Sequence, residues 1–365
     1  MAGLNDIELM TRALRLAEKG RGKTLPNPMV GAVLFKNGKV VGEGYHKGPG
    51  SPHAEVEAIK KAGKSARGAT MYVTLEPCCH AGRTGPCTES IKEAGIKKVI
   101  YAITDNNPLV NGKGARTLRQ AGIQVSNGLM SKEAVRLNDV YFGIVEKQSP
   151  FVTLKIAQSL DGRIATNSGD SKWISCKVSR KYVHGLRADS DAVLVGSGTL
   201  KKDNPHLTTR LVKGKNPYRI IVSSDLNFPK GSHLIESNKD YRTIVATTDV
   251  ALTNQASTNN GLTYWKVAAN SDHRVDLKDL LEKAWEFGIK AILIEGGAQM
   301  ASSFLKEKLI DKFIIITAPM VLGKGVDAIG DLNINKVSQA ITFRDSYRFQ
   351  SGPDEVFVGY PNWSK

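Results

Sequence analysis

Cysteine is scarce here, four residues in a chain of 365, and too unevenly placed for a disulfide framework. No apolar run reaches the roughly 18 residues of a membrane span. The start, MAGLNDIELM, has no basic segment leading into an apolar one, so no secretory signal is expected. There is no internal repeat, no low-complexity tract and no basic tail, and no GxGxxG dinucleotide fingerprint follows a predicted strand. These absences exclude a secreted disulfide scaffold, a membrane protein, a solenoid and a disordered chain. A content of 41% hydrophobic and 24% charged residues is that of a soluble globular protein. With so few cysteines and no signal, the expected location is cytoplasmic.

What is present begins with charge. The net charge is +16, and both halves share the excess. That balance suits anionic partners such as nucleic acid or phosphorylated small molecules, although it also describes a merely basic surface. The length suggests two domains. In the first half, Ile7, Met10, Leu14 and Ala17 recur at helical spacing and close on Gly20. Strands at 30–35 and 40–45 flank Asn37-Gly38, a hairpin signal. Helices are expected at 53–62, 112–121 and 131–146, and strands at 69–75 and 98–104. The pattern breaks at Ser149-Pro150, which sets domains of 1–147 and 148–365. The second half restarts the alternation, with strands near 151–158, 191–196, 218–223, 242–247, 290–295, 311–317 and 354–360. Helices are expected near 176–188, 277–287 and 298–307, and a surface loop at 249–261. The expected fold class is α/β in both halves, with a mixed sheet in the first.

Chemistry concentrates in two places. In the first half, Pro52-His53-Ala54-Glu55 opens a helix, followed by Glu76-Pro77-Cys78-Cys79-His80 and Gly85-Pro86-Cys87. One imidazole and two thiolates give zinc three ligands and leave a fourth place for water, the catalytic pattern. Glu55 lies in the same turn as His53, placed to move protons without ligating the metal. This is the zinc nucleobase-deaminase signature with a long spacing, eight residues between Cys78 and Cys87. Cys79 and His80 therefore compete as ligands with Cys87, which is favoured because adjacent extended residues point apart. In the second half three runs stand out: LKIAQSLDGRIA (154–165), GSGTLKKDNPHLTTR (196–210) and ILIEGGAQMASSFL (292–305). In the last, Gly296-Gly297 lets a phosphate approach backbone N–H groups at a helix start. Cys176 reads as a buried small hydrophobe.

The run His53-Ala-Glu55 with EPCCHAGRTGPC (76–87) and TLPNPMVGAVL (24–34) resembles the bifunctional riboflavin-biosynthesis deaminase/reductase family, over nearly the whole chain. The family more often has Ser where this chain has Cys79. The resemblance implies an N-terminal cytidine-deaminase-like α/β/α domain and a C-terminal domain similar to dihydrofolate reductase. It implies zinc on His53, Cys78 and Cys87, and Glu55 as the proton carrier. Asn27 would read the pyrimidine edge. NADPH would contact Ala157, Trp173, Thr199, Asp203, Ser224 and the segment Gly297, Ala298, Gln299, Met300, Ala301, Ser302 and Ser303. Substrate would contact Lys155, Ser171, Arg187, Leu207, Arg210 and Glu295, with Arg187 and Arg210 as a guanidinium clamp on the ribose phosphate. Asp203 would position or protonate the reacting sugar. The implied reactions are hydrolytic deamination of a diaminopyrimidine ribosylamine phosphate, then NADPH-dependent reduction of ribosyl to ribityl. The implied partner is a phosphorylated pyrimidine, with no nucleic acid and no membrane, in a homo-oligomer. The competing readings are a tRNA deaminase, against which stand the Cys spacing and the lack of RNA-binding motifs, and a zinc-stabilised scaffold, against which stands the intact Glu55.

Overall fold

The computed structural model describes residues 5–80, 85–226, 229, 231–248 and 261–363. Residues 249–260, most of the expected surface loop, lie outside that set. The chain divides after Gln148 into two compact units.

The first unit carries helices α1 (Asp6–Ala17), α2 (Ala54–Ala62), α3 (Cys87–Glu93), α4 (Lys113–Gln120), α5 (Ser131–Leu137) and α6 (Asp139–Lys147). Its strands are β1 (Gly31–Lys36), β2 (Lys39–Tyr45), β3 (Thr70–Val73), β4 (Lys98–Tyr101) and β5 (Gln124–Asn127), in the sheet order β2-β1-β3-β4-β5. The β1–β2 hairpin turns at Asn37 and Gly38, both with positive φ, as that dipeptide favours. Both neighbours of β1 run antiparallel to it, and β3, β4 and β5 run parallel, so the sheet is mixed. Leu9, Met10, Ala13 and Leu16 of α1 cover one face against Val33, Tyr72 and Ile100. α2, α3 and α4 cover the other face against Ala32, Leu34, Met71 and Val99.

The single helix expected at 131–146 is two, broken at Asn138. There the backbone leaves helical geometry (φ −114, ψ 24), and the side chain bonds a loop over a hundred residues earlier. β5 was not expected; it is short, and its burial pattern is mostly exposed.

The second unit holds β6 (Phe151–Ser159), β7 (Arg163–Thr166), β8 (Ala192–Gly196), β9 (Tyr218–Val222), β10 (Thr243–Thr247), β11 (Thr263–Lys266), β12 (Ala291–Ile294), β13 (Lys312–Ala318), β14 (Gly325–Asp327), β15 (Phe343–Ser351) and β16 (Asp354–Pro361). Its helices are α7 (Lys177–Ala188), α8 (Ser197–Asp203), α9 (His233–Glu236), α10 (Leu277–Glu286) and α11 (Ala298–Lys306). The main sheet has the order β11-β10-β9-β8-β12-β6-β13-β16-β15, parallel from β11 to β13 and antiparallel beyond. Leu280, Ala284, Ala301 and Phe304 of α10 and α11 pack one face. Val183 and Leu200 of α7 and α8 pack the other. In a sheet of this kind ligands sit beyond the carboxyl ends of the parallel strands. The segment 197–203, to which the sequence pattern assigns no element, is the helix α8. Cys176 is half-buried, not buried, and acts as the N-cap of α7, its sulfur accepting the Ser179 N–H at 3.4 Å.

The contact that places the first unit's chemistry is α2 on β2. Ala54, Ala58 and Ala62 form a small-residue stripe on α2, and Gly42 and Gly44 face it. A Cβ on Gly44 would lie 2.2 Å from the Ala54 carbonyl oxygen and 2.6 Å from the Ala58 nitrogen. Only glycine lets the helix backbone come this close. Gly44→Val is expected to lower the unit's stability by about 2 kcal/mol or more in denaturant unfolding, because backbone must shift. Gly185→Ala, inside α7 with nothing within 4 Å of the new carbon, is the control. It is expected to leave stability unchanged or raise it by roughly 0.5–1 kcal/mol.

Candidate active sites

Three elements of the first unit deliver the candidate metal ligands. His53 is the N-cap of α2 (φ −70, ψ 163), Cys87 opens α3, and Cys78 lies in the loop after β3. His53 Nδ1 lies 3.1 Å from Cys87 Sγ and 3.5 Å from Cys78 Sγ, and the three ligand atoms fall within 4.8 Å of one another. The Cys87 N–H also donates to Cys78 Sγ at 3.4 Å. Hydrogen bonding from Cys87, then from His53, pulls the Cys78 thiol down to about 4 against the cost of burial. Glu55, in the first turn of α2, is buried, and its Oε2 has no hydrogen-bond partner among the described residues. Burial, and then the Cys78 charge, push its carboxyl up to about 7. One imidazole and two thiolates are the donor set zinc takes, and a buried carboxylate oxygen left without a partner beside them suits a group that handles water there. Cys79 and His80 stand outside the cluster. Cys79 Sγ faces the Leu109 carbonyl at 3.9 Å.

Several residues that the motifs did not single out hold this arrangement. Glu76 is buried and accepts the backbone N–H groups of Gly112 and Ala115, both at 2.9 Å, which caps the start of α4 and anchors the Cys78 loop. Gly114 completes the seam, since a Cβ there would lie 2.0 Å from the Pro77 carbonyl oxygen. Asn138 accepts the Met29 N–H at 2.7 Å and donates to the Met29 carbonyl at 2.9 Å, fixing the loop that carries Asn27. Asn27 Nδ2 donates to His46 Nε2 at 3.1 Å. The His46 ring lies edge-on to His53 with centroids 5.4 Å apart, and burial lowers its pKa, in keeping with a neutral ring that accepts from Asn27. No spacing marks a lone histidine at a strand end, or an asparagine inside a helical pattern.

The second unit has a cavity of about 640 Å³ at the carboxyl ends of β8, β9 and β12. Ser171, Thr199, Asp203, Ser224, Gly297, Ala298, Gln299, Met300 and Ser303, all named from the sequence, line it. Thr199 Oγ1 accepts the Gly297 N–H at 3.2 Å, and Ser171 Oγ donates to Asp203 Oδ1 at 3.4 Å. The first N–H groups of α11 face this space, and unpaired helix-start amides favour phosphate. The volume and the amide cradle therefore fit a dinucleotide. Ala301 and Ser302 do not line the cavity. Ala301 is packed into the core, and Ser302 donates to the Ala298 carbonyl and accepts the Gly330 N–H. Trp173 is exposed, with the Arg180 guanidinium 4.5 Å over its ring. Leu207 has positive φ and a side chain buried in the core, so its backbone is what it can offer a ligand. Ala157 lies on β6 opposite Ile316 of β13.

A buried charge network sits at the end of β12. Arg187 grips Glu295 with two bonds, Nε to Oε1 at 2.6 Å and Nη2 to Oε2 at 3.0 Å, while its Nη1 donates to the Thr208 carbonyl at 3.0 Å. Lys155 Nζ lies 3.7 Å from Glu295 Oε2. Burial alone would raise the Glu295 carboxyl, but Arg187 and Lys155 overcome it and hold the group at about 2. Arg187 and Arg210, expected as a phosphate clamp, differ in their surroundings. The Arg187 fork is already engaged by Glu295, whereas Arg210 is exposed.

Comparison with known proteins follows the same division. Residues 4–103 match the cytidine and deoxycytidylate deaminase zinc-binding region, and residues 150–354 the RibD C-terminal domain. The riboflavin biosynthesis protein RibD of Aquifex aeolicus (strain VF5) is 44% identical over 352 residues, covering 96% of this chain and 97% of its own. That of Escherichia coli (strain K12) is 38% identical over 371 residues, covering 96% and 98%. Among solved structures, Acinetobacter baumannii RibD (form 1) has a TM-score of 0.82 at 36% identity, covering 98% of this chain and 99% of its own. A diaminohydroxyphosphoribosylaminopyrimidine deaminase/5-amino-6-(5-phosphoribosylamino)uracil reductase from Thermotoga maritima has a TM-score of 0.81 at 37% identity, covering 98% of each. A zinc-binding deaminase region followed by a reductase region, matched across almost all of both chains, means that this chain belongs to the RibD family of bifunctional riboflavin-biosynthesis enzymes, which use zinc and NADPH.

Proposed function

We propose that His53, Cys78 and Cys87 hold the zinc of the deaminase step and that Glu55 carries its protons. The observation that supports this most is the convergence of one ring nitrogen and two sulfurs within 4.8 Å beside the unpartnered Glu55 oxygen. Zinc held there supplies Lewis acidity and activates water at neutral pH. Glu55 carries one proton of the attacking water to the ring nitrogen and then the other to the departing amine of 2,5-diamino-6-(5-phosphoribosylamino)pyrimidin-4-one. Asn27, steadied by His46 and by the Asn138–Met29 bonds, reads the pyrimidine edge. Loss of ammonia leaves the uracil form.

In the second unit the cavity takes NADPH, with the phosphates on the start of α11 and the nicotinamide toward Ser171 and Asp203. Lys155, Ser171, Arg187, Leu207, Arg210 and Glu295 face the substrate, with Arg187 and Arg210 toward its ribose phosphate. The sugar reacts in its opened imine form. Its first carbon receives the hydride, and the imine nitrogen takes the balancing proton, which we assign to Asp203. The domains are 1–147 and 148–365. Two of the sites' cations, Lys155 and Arg187, are largely buried beside Glu295 and not on an open face, which favours a small phosphorylated substrate over nucleic acid. The four free cysteines suit a reducing, cytoplasmic location. Among the described residues no helix is long and apolar enough to cross a membrane. The β15 edge strand, with Phe343 partly exposed, suits pairing with a second copy in a homo-oligomer.

The direct test is the mass of the product formed from the diaminopyrimidine substrate with and without NADPH. Exchange of an amino group for oxygen without NADPH, and a further gain of two hydrogens with it, are expected. Deamination alone would remove the reductase assignment. Glu55→Gln is expected to cost deamination about 10²–10⁴-fold, the usual range for a lost acid–base group. Its zinc content and its reduction of the deaminated intermediate should persist, and loss of zinc would make Glu55 a ligand instead. Metal analysis separates the cysteines: Cys79→Ser should keep its zinc and Cys87→Ser should lose it, and the reverse would move the third ligand.

A further inference from the structure

We propose that a second cavity beside the NADPH cleft, walled by Ser224, Lys266, His273 and Lys283, receives the phosphate on the adenosine 2′ oxygen and so selects NADPH over NADH. The inference rests on the reading of the larger cavity as the cofactor cleft. The order of strands supplies the ruler. Lys155, which faces substrate, is on β6, and three strand spacings separate β6 from β9 in the order β9-β8-β12-β6. At roughly 4.8 Å each this is about 14 Å, enough to put the two ends of a dinucleotide on different strands. The amides of α11, which follows β12, lie between those ends and take the pyrophosphate. With the nicotinamide toward Ser171 and Asp203, the adenosine lies at the other end of the cleft, against Ser224, Asn270 and Arg274.

Ser224 is a wall of both cavities. The second, also about 640 Å³, opens where β9, β10 and β11 end side by side, at Ser224, Thr248 and Lys266. Two lysines reach its lining from different elements, Lys266 from β11 and Lys283 from α10. Its one acid, Asp279, is engaged, with Oδ2 accepting the Ala268 N–H at 2.6 Å. The lining is thus net positive and suits a phosphate dianion. The turn between β11 and α10 is braced. Ala269 bridges Val275, and Asn270 Oδ1 accepts the N–H groups of Asp272 and Arg274, each at 3.0 Å. This turn contributes His273 to the second cavity and Arg274 to the cleft, so one rigid element serves both.

The alternative is an acid at the end of β9 holding a bare 2′ hydroxyl, as NAD-selective folds do. Asp225 occupies that region, but its Oδ1 accepts from Ser223 Oγ at 2.9 Å and its Oδ2 lies 3.7 Å from Lys201 Nζ.

The test is calorimetric titration of the full-length enzyme with 2′,5′-ADP, 5′-ADP and NADPH. The wild type should bind 2′,5′-ADP at least tenfold more tightly than 5′-ADP. The double variant Lys266→Ala/Lys283→Ala should lose tenfold or more of its affinity for 2′,5′-ADP and for NADPH, while 5′-ADP stays within twofold and so reports an intact fold. Equal losses for both nucleotides would reduce the lysines to general attraction and overturn the proposal. Unchanged NADPH binding by the variant would overturn it and leave the cofactor cleft standing. A wild type that binds none of the three would overturn the cleft reading, and this inference with it.

Discussion

The approach of α2 to the bare backbone of β2 is the constraint on which the first unit's chemistry depends. A metal centre needs its donors placed to within a fraction of an ångström, and side chains on loops do not provide that unaided. Here the alanine stripe of α2 rests on glycines, so the height and tilt of the helix are fixed by backbone contact. Its first turn carries both His53 and Glu55, so the proposed ligand and the proposed proton carrier are held by one element. The other two donors come from a loop and a helix start. That loop is held because Glu76 spends both carboxylate oxygens on the amides that open α4. A carboxylate two residues before Cys78 therefore does structural work, with no part in the proton transfers assigned to Glu55.

The second unit solves a different problem, that of holding a charge where apolar strands end. Glu295 follows β12, whose four residues are all buried. Removing one partner from a buried charged set leaves an uncompensated ion and typically costs several kcal/mol. The bidentate grip of Arg187 and the nearby Lys155 prevent this, and they fix the carboxylate's orientation as well as its charge. With two bonds to the carboxylate and a third to the Thr208 carbonyl, the guanidinium still has two of its five N–H donors for other contacts.

How much of this could be read from the sequence follows from the range of each interaction. The α2 start, the Asn37-Gly38 hairpin and the His-x-Glu, Pro-Cys and second-Cys pattern are local, and each was legible from spacing. The break at Asn138 was not, because apolar periodicity runs through it and its reason is a pair of bonds to Met29, 109 residues away. His46 likewise gains its meaning only from Asn27 and His53, which the fold brings to it. Helix α8 was hidden because Gly196, Ser197 and Gly198 at its start carry no apolar periodicity. The depth of Ala301 and Ser302 follows from helix phase. A motif names a run of residues, but only some of each turn can face the ligand while the rest faces the core.

Both units use the same arrangement. Parallel strands end in loops, and a following helix begins at the candidate site: α3 at Cys87 in one, α11 after Gly297 in the other. Partial positive charge at a helix start suits thiolate in the first case and phosphate in the second. Neither helix is chemically special in itself. What differs is which side chains the sheet leaves beside it. In the first unit a buried carboxylate with one oxygen left without a partner lies beside two sulfurs and a ring. In the second, hydroxyls and a paired carboxylate border an open cleft. The specificity of each half therefore comes from the few long-range bonds that decide which polar atoms remain available, and those bonds are the part of the structure that local sequence pattern does not encode.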